Sequence, residues 1–178
     1  MSRVGLLLVL LLGCRPTESQ RGLEVATEEP PTQEAEEVWL QLSVRGQMRL
    51  SLWAARLLVY ERPDSTVMIL RGGVRARLFE GQSGPLQAEL EAQEGTYWPR
   101  ARRIAFQGDV RLRVADRQLW TSVLELEEGE ERIRSPGFVR IQTPEEWLEG
   151  YGLEAAFDLS WYRVRRVTGR VAVPDVGT

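Results

Sequence analysis

Residues able to do covalent chemistry are scarce in this chain, and the scarcity narrows its function. Histidine is absent, which removes the usual proton shuttle near neutral pH and the commonest metal ligand. Cys14 is the one thiol, so neither an internal disulfide nor a thiolate metal cluster is possible. All 23 basic residues are arginine and 26 residues are acidic, yet no pair of carboxylates is set apart by spacing as an acid and a base. There is no glycine-rich loop of the kind that cradles phosphates. A net charge of −3 argues against nucleic acid as a partner. What remains is noncovalent: withdrawal of apolar groups from water, and pairing of arginine with carboxylate. The sequence therefore predicts no enzyme, no metal and no cofactor.

Cys14 closes an N-terminal segment with a pattern of its own. Met1-Ser2-Arg3 is a basic start, residues 4–12 are an apolar stretch, and Gly13 is a small residue before the break. That is the order of a secretory signal, and the run is about half of the roughly 20 residues that span a bilayer. Leu11-Leu12-Gly13-Cys14 resembles the lipobox of bacterial lipoproteins. The resemblance implies removal of residues 1–13, acylation of Cys14 (palmitate included) and a lipid anchor; an ordinary signal with a chance cysteine is the alternative. Residues 14–37 then read as the lipidated cysteine and an acidic, Pro-rich tether, too poor in large apolar side chains to fold. As a flexible chain it reaches on the order of 25 Å. Residues 38–174 are the folded domain and 175–178 a tail.

The elements of that domain are announced by a returning strand signature. It reads Gly73 to Leu78, Asp109 to Val114, Phe138 to Ile141 and Arg170 to Val173, with valines at 74, 110, 139 and 171. Each copy follows glycine (Gly72-Gly73, Gly108, Pro136-Gly137, Gly169), which reads as a turn. Repetition at roughly thirty residues implies stacked copies of one unit that cannot bury its apolar face alone. Period-two alternation places Ile104, Phe106, Val110, Leu112 and Val114 on one face, and likewise Ile133, Val139 and Ile141. Further strands are predicted over 86–90, 119–126 and 153–162, with turns at Pro63-Asp64, 81–85, Glu128-Gly129, Pro144 and 150–152. Thr143-Pro144-Glu145-Glu146 fits a capping box for a short helical turn, and the stretch 44–60 is compatible with strand or helix. The fold class is all-β and antiparallel.

The order of these pieces resembles the LptC family, the periplasmic component of the lipopolysaccharide export system. The residues that carry the likeness are Gly108 to Leu112, Leu119-Trp120-Thr121-Ser122-Val123-Leu124, Ile133 to Ile141, and the glycine motif Gly150-Tyr151-Gly152-Leu153. The likeness spans roughly residues 45–173 and is densest over 104–160. It implies an open, twisted β-jellyroll built from repeated strand pairs, the LptA-like "β-taco", whose interior holds lipopolysaccharide acyl chains. It also implies two partners: an inner-membrane ABC transporter at the N-terminal edge, and a soluble LptA-like bridge protein of like fold at the C-terminal edge. Two features depart from the family: a lipid anchor in place of a retained transmembrane helix, and Ala155 or Ala156 where an acid is common. The implied address is the periplasmic face of the inner membrane; Arg15 after the cysteine keeps the outer membrane open as the alternative.

On this reading the lumen is lined by Ile69, Val74, Leu78, Ile104, Phe106, Val110, Leu112, Val139, Ile141, Leu153 and Phe157. From the residues alone the same set reads as a closed core, and it is the family resemblance that turns it into a lumen. Segments 161–167 and 171–173 are the expected outgoing edge and 39–52 the incoming one, for pairing by strand addition. Arg75, Arg77, Arg111, Arg113 and Arg140 are expected to pair across strands with Glu89, Glu91, Glu125, Glu127 and Glu154, while Arg100, Arg102 and Arg103 are candidates for lipid phosphates. Two other functions compete: an envelope lipoprotein scaffold with a closed core that carries no lipid, and an outer-membrane lipoprotein aiding barrel assembly or lipopolysaccharide insertion.

Overall fold

A computed structural model describes residues 29–44, 47–79, 84–127 and 132–172. Cys14, the signal, most of the tether and the tail lie outside the described residues. The domain is all-β: β1 (Gln33–Val44), β2 (Gln47–Arg62), β3 (Ser65–Phe79), β4 (Leu86–Ala92), β5 (Glu94–Trp98), β6 (Arg103–Val114), β7 (Arg117–Glu127), β8 (Arg132–Gln142), β9 (Glu146–Ala156) and β10 (Tyr162–Ala172). They form one antiparallel sheet in the order β1-β2-β3-β4-β6-β7-β8-β9-β10, with β5 between β3 and β6. β4 and β5 are two halves of one strand, broken at Gln93, whose N–H reaches the carbonyls of Gln107 and Gly108. Sequential hairpins bring each strand beside its chain neighbour, the arrangement that short loops favour.

The glycines that read as turns lie in the middle of strands. Registers slip by a residue between β2 and β3 at Ala54/Arg56, between β6 and β7 at Gln107/Val110, between β7 and β8 at Thr121/Glu125, and between β8 and β9 at Ser135/Phe138. Gly72, Gly73, Gly108, Asp109 and Gly152 take positive φ there. These are bulges, and a bulge bends its strand. Lined up across neighbouring strands, they make a crease. On either side the inner face is reset: inner residues are four apart in β3, β6 and β8 (Leu70 to Val74, Phe106 to Val110, Ser135 to Val139) and three apart in β2, β7 and β9 (Ala54 to Leu57, Thr121 to Leu124, Gly150 to Leu153).

A lone sheet, with no helix among the described residues, must cover its own apolar face. Phe106, Leu112, Ile133, Val139, Ile141 and Leu153 are fully buried, so the two halves on either side of the crease pack together. One hydrogen bond makes the folding explicit. On β9, Glu146 and Ala155 stand nine residues apart, and Tyr162 pairs with Ala155. Straight, that hairpin would hold Tyr162 and Glu146 about 30 Å apart. Instead the Tyr162 hydroxyl donates to Glu146 Oε1. The result is a twisted, taco-like jellyroll.

Several expectations are corrected. Strand β1 begins at Gln33, inside the stretch read as tether, because an edge strand needs backbone partners more than apolar side chains; Glu34 sits 2.6 Å from Arg56 on β2. The span 44–60 contains no helix among its described residues. Thr143 does cap a turn, its Oγ1 accepting from the N–H groups of Glu145 and Glu146, but the chain enters β9 and never turns helically. The predicted strand over 153–162 is interrupted at 157–161, where Asp158 accepts from Ser160 and reverses the chain. The glycine motif 150–152 lies within β9, and the described part of 161–173, up to Ala172, contains one strand rather than two, with Gly169 at an irregularity inside it. The fourth repeat is no structural copy. The inner row runs Val110, Thr121, Val139, Gly150 and ends at Val167, itself 51% exposed on the edge strand, whereas Val171 pairs with outward Trp147 and is 66% exposed.

Candidate functional site: the apolar interior and its two margins

Alternation brings eight of the eleven expected lining residues into one cluster. Val74, Ile104, Phe106, Val110, Leu112, Val139, Ile141 and Leu153 share a buried inner face, and Leu78 and Phe157 pack half-buried against it. Ile69 does not belong. It lies between Met68 and Leu70, which join the cluster, and pairs across strands with Leu58 and Thr96, so its side chain takes the other face. Leu70 and Met68 stand at even spacing from Val74, so plain alternation already leaves Ile69 one residue out of step. Reasoning from the repeats also missed Leu52, Leu70, Leu90, Leu119, Leu124 and Leu159, all fully buried. The first five lie on strands that alternate legibly, but Leu159 sits in a turn and no local pattern marks it.

The interior is packed shut where these residues meet: each of the eight is at most 3% exposed. An open groove of about 490 Å³ lies on the surface at the C-terminal end, beside Thr143, Glu145, Glu146, Tyr162, Arg170 and Ala172, rather than along the valine row.

At the crease, bulging leaves backbone groups without ladder partners, and the motif residues supply them. Thr121 Oγ1 donates to the Phe138 carbonyl at 2.8 Å, and the Ser135 hydroxyl lies 2.8 Å from Thr121 Oγ1. Both side chains are buried, so their hydrogen bonds answer a desolvation cost that an unpaired hydroxyl would incur. Gly150 is required by close approach: a Cβ there would sit 2.4 Å from the Arg166 carbonyl oxygen and 2.6 Å from a Val164 methyl. Gly152 is required by its backbone, with φ near +74°. The Leu-x-Thr, Ile-x-Ser and Gly-x-Gly pieces of the sequence are therefore all parts of the crease.

At the C-terminal end the two free rims of the folded sheet meet. Glu146, on one rim, accepts from the hydroxyl of Tyr162, on the other, and pairs with Arg170. Arg117, at the start of β7, donates to the Leu159 carbonyl at 2.5 Å across the same gap. Leu159 takes a left-handed backbone (φ 54°), which turns its side chain into the interior. Titration follows this geometry. Burial and the bond to Glu146 push the Tyr162 hydroxyl up to about 12. The bond from Tyr162 holds Glu146 below the ordinary carboxylate range against burial, with help from Arg170. Asp158 is lowered by the side-chain and backbone bonds of Ser160, with a smaller pull from Arg117.

The outward arginines interleave with acids. Arg77 reaches Glu89 at 3.2 Å, Arg113 reaches Glu91 at 3.9 Å, Arg134 reaches Glu127 at 3.1 Å and Arg132 reaches Glu154 at 3.6 Å. Arg140 pairs with Glu149 at 2.7 Å, and Arg75 lies over the Trp53 ring. The trio at 100–103 is divided: Arg100 donates to the carbonyls of Pro63 and Asp64, and Arg103 stacks 4.4 Å from the Trp98 centroid. Among the described residues no group of His, Cys, Asp and Glu is placed to hold a metal ion. No family model matches the chain, and no curated protein matches it.

Proposed function

We propose that this domain is a lipopolysaccharide-transport module of the LptC kind, acting without catalysis at the periplasmic face of the inner membrane, to which Cys14 anchors it. It takes lipopolysaccharide from an inner-membrane ABC transporter, shelters the acyl chains between the two halves of its sheet, and hands them to an LptA-like bridge protein. One observation carries this reading. A single sheet folds about a crease into a largely apolar interior, while its first and last strands, β1 and β10, each have one sheet neighbour. An unpaired edge accepts a strand from a like-folded neighbour, which extends both sheet and interior. Each methylene taken from water contributes about 0.8 kcal/mol, so parting the halves around an acyl chain exchanges one apolar contact for another.

The packed interior favours a second reading, that of an envelope scaffold that docks proteins and holds no lipid. Purification of the full chain in mild detergent separates the two. The transport reading expects lipopolysaccharide in stoichiometric amount and photo-crosslinking to it from position 112. Lipid-free protein in repeated preparations, with no crosslink from the interior, supports the scaffold. Depletion adds a cellular readout, since transport requires newly made lipopolysaccharide to be stranded in the inner membrane.

A further inference from the structure

We infer that the turn at 157–161, together with Tyr162, is a latch that holds the C-terminal end of the folded sheet shut and governs entry to the interior beside β10. The latch itself stands on geometry; its use as a gate for acyl chains rests on the transport reading above. Three contacts define it. Leu159 fills the end of the interior, its carbonyl is held by Arg117 from the opposite rim, and Tyr162 bonds to Glu146 across the same gap.

Each of these contacts joins residues that the sheet's own ladder does not bring together. Arg117 and Leu159 are 42 positions apart, and Tyr162 reaches Glu146 from the far end of the same hairpin. Elsewhere in the interior the halves meet through apolar side chains, which slide and separate without directional cost. The latch is polar and directional, so it has a closed state defined by bonds and an open state in which water replaces them. Arg170 secures the acceptor: it pairs with Glu146 and leaves the second oxygen for Tyr162. The open groove of about 490 Å³ beside Glu146 and Tyr162 brings solvent directly next to the contact that would part first. β10, the strand that follows the latch, is also the free edge and is exposed along most of its length. Opening here would admit a ligand at the end where a neighbouring sheet would join.

Native-state hydrogen exchange on the full chain tests the latch without lipid. Tyr162→Phe keeps the ring and removes the donor, and Arg117→Gln removes the second bond while leaving a polar side chain. Each should raise exchange of amides in 153–164 by about fivefold to tenfold, the size of one lost hydrogen bond, while β2 to β6 stay unchanged. In parallel, Val164→p-benzoylphenylalanine reports lipopolysaccharide contact in cell envelopes, and labelling should rise in the unlatched variants. Unchanged exchange in both variants overturns the latch, as does a uniform rise across all strands, which would mark a merely structural role. Local opening with no lipid label at position 164 or 112 leaves the latch standing and overturns the transport reading instead.

Discussion

Two margins enclose the same apolar interior, and they are built from different materials. The crease is made by backbone: bulges, positive φ at Gly72, Gly73, Gly108 and Gly152, and a pair of buried hydroxyls that satisfy what the bulges leave open. The latch is made by side chains, with Tyr162, Glu146, Arg170 and Arg117 bonding across a gap. Distortions of a crease cannot be undone without unfolding the strands that carry them. A latch of single hydrogen bonds opens at a cost of about 1 kcal/mol each. The crease is therefore the fixed margin, and the latch is the one able to move.

The largest expected effect comes from breaking the interior at its crease. Val139→Arg puts an unpaired charge beside Thr121 and Gly150, at a position with no exposure, and should cost more than about 4 kcal/mol. Soluble folded protein should be lost, as read by circular dichroism. Gly150→Ala is gentler in chemistry but meets backbone at 2.4 Å, so thermal melting should fall by an amount equivalent to about 1–3 kcal/mol.

A sharper probe is Thr121→Val, which keeps shape and removes the bond to the Phe138 carbonyl. Denaturant unfolding should register about 1–3 kcal/mol, the cost of a buried acceptor left unpaired. A loss as small as that of a surface change would mean that water replaces the hydroxyl and that the crease needs no such support.

Smaller still is the response of the latch to pH. Glu146 titrates below its ordinary 4.5 when folded, so its contribution is complete above that value and is lost as pH falls through the lowered one. Tyr162 is raised from 10.0 to about 12, so its contribution is complete below 10 and is lost between 10 and about 12. Exchange over 157–162 should therefore be flat from mildly acidic to mildly alkaline pH and rise beyond either limit. In Tyr162→Phe the alkaline rise should vanish. At the bottom of the scale, Arg77→Ala removes an exposed pair with Glu89 and should shift stability by less than about 0.5 kcal/mol in the same melting assay. Equal losses for Arg77→Ala and Val139→Arg would invalidate the assignment of inner and outer faces.

Much of the interior was legible because alternation is local. Ile104, Phe106, Val110 and Leu112 declare their shared face within nine residues, and the structure puts all four in the cluster. Ile69 was legible too: Met68 and Leu70 stand at even spacing from Val74, so alternation points Ile69 to the other face. What alternation could not supply is that the bulge at Gly72-Gly73 interrupts the inner row, which the register with β2 decides. The same glycines were visible as breaks in pattern, but a turn and a mid-strand bulge call for the same residue type. The helical turn expected at Thr143 failed for a related reason: its capping hydroxyl serves a hairpin equally well.

Taken alone, the chain's order of residues determined the strand class, the outward pairing of arginine with glutamate, and most of the residues that leave water. These follow from the two-residue period of an extended backbone, which any short window contains. The tertiary structure decided where strands bend, which of the four repeats is not a copy, and that Leu159 and Tyr162 reach the opposite rim. Those outcomes depend on contacts between positions that come together only after the sheet has folded over itself. No local period records a meeting of that kind.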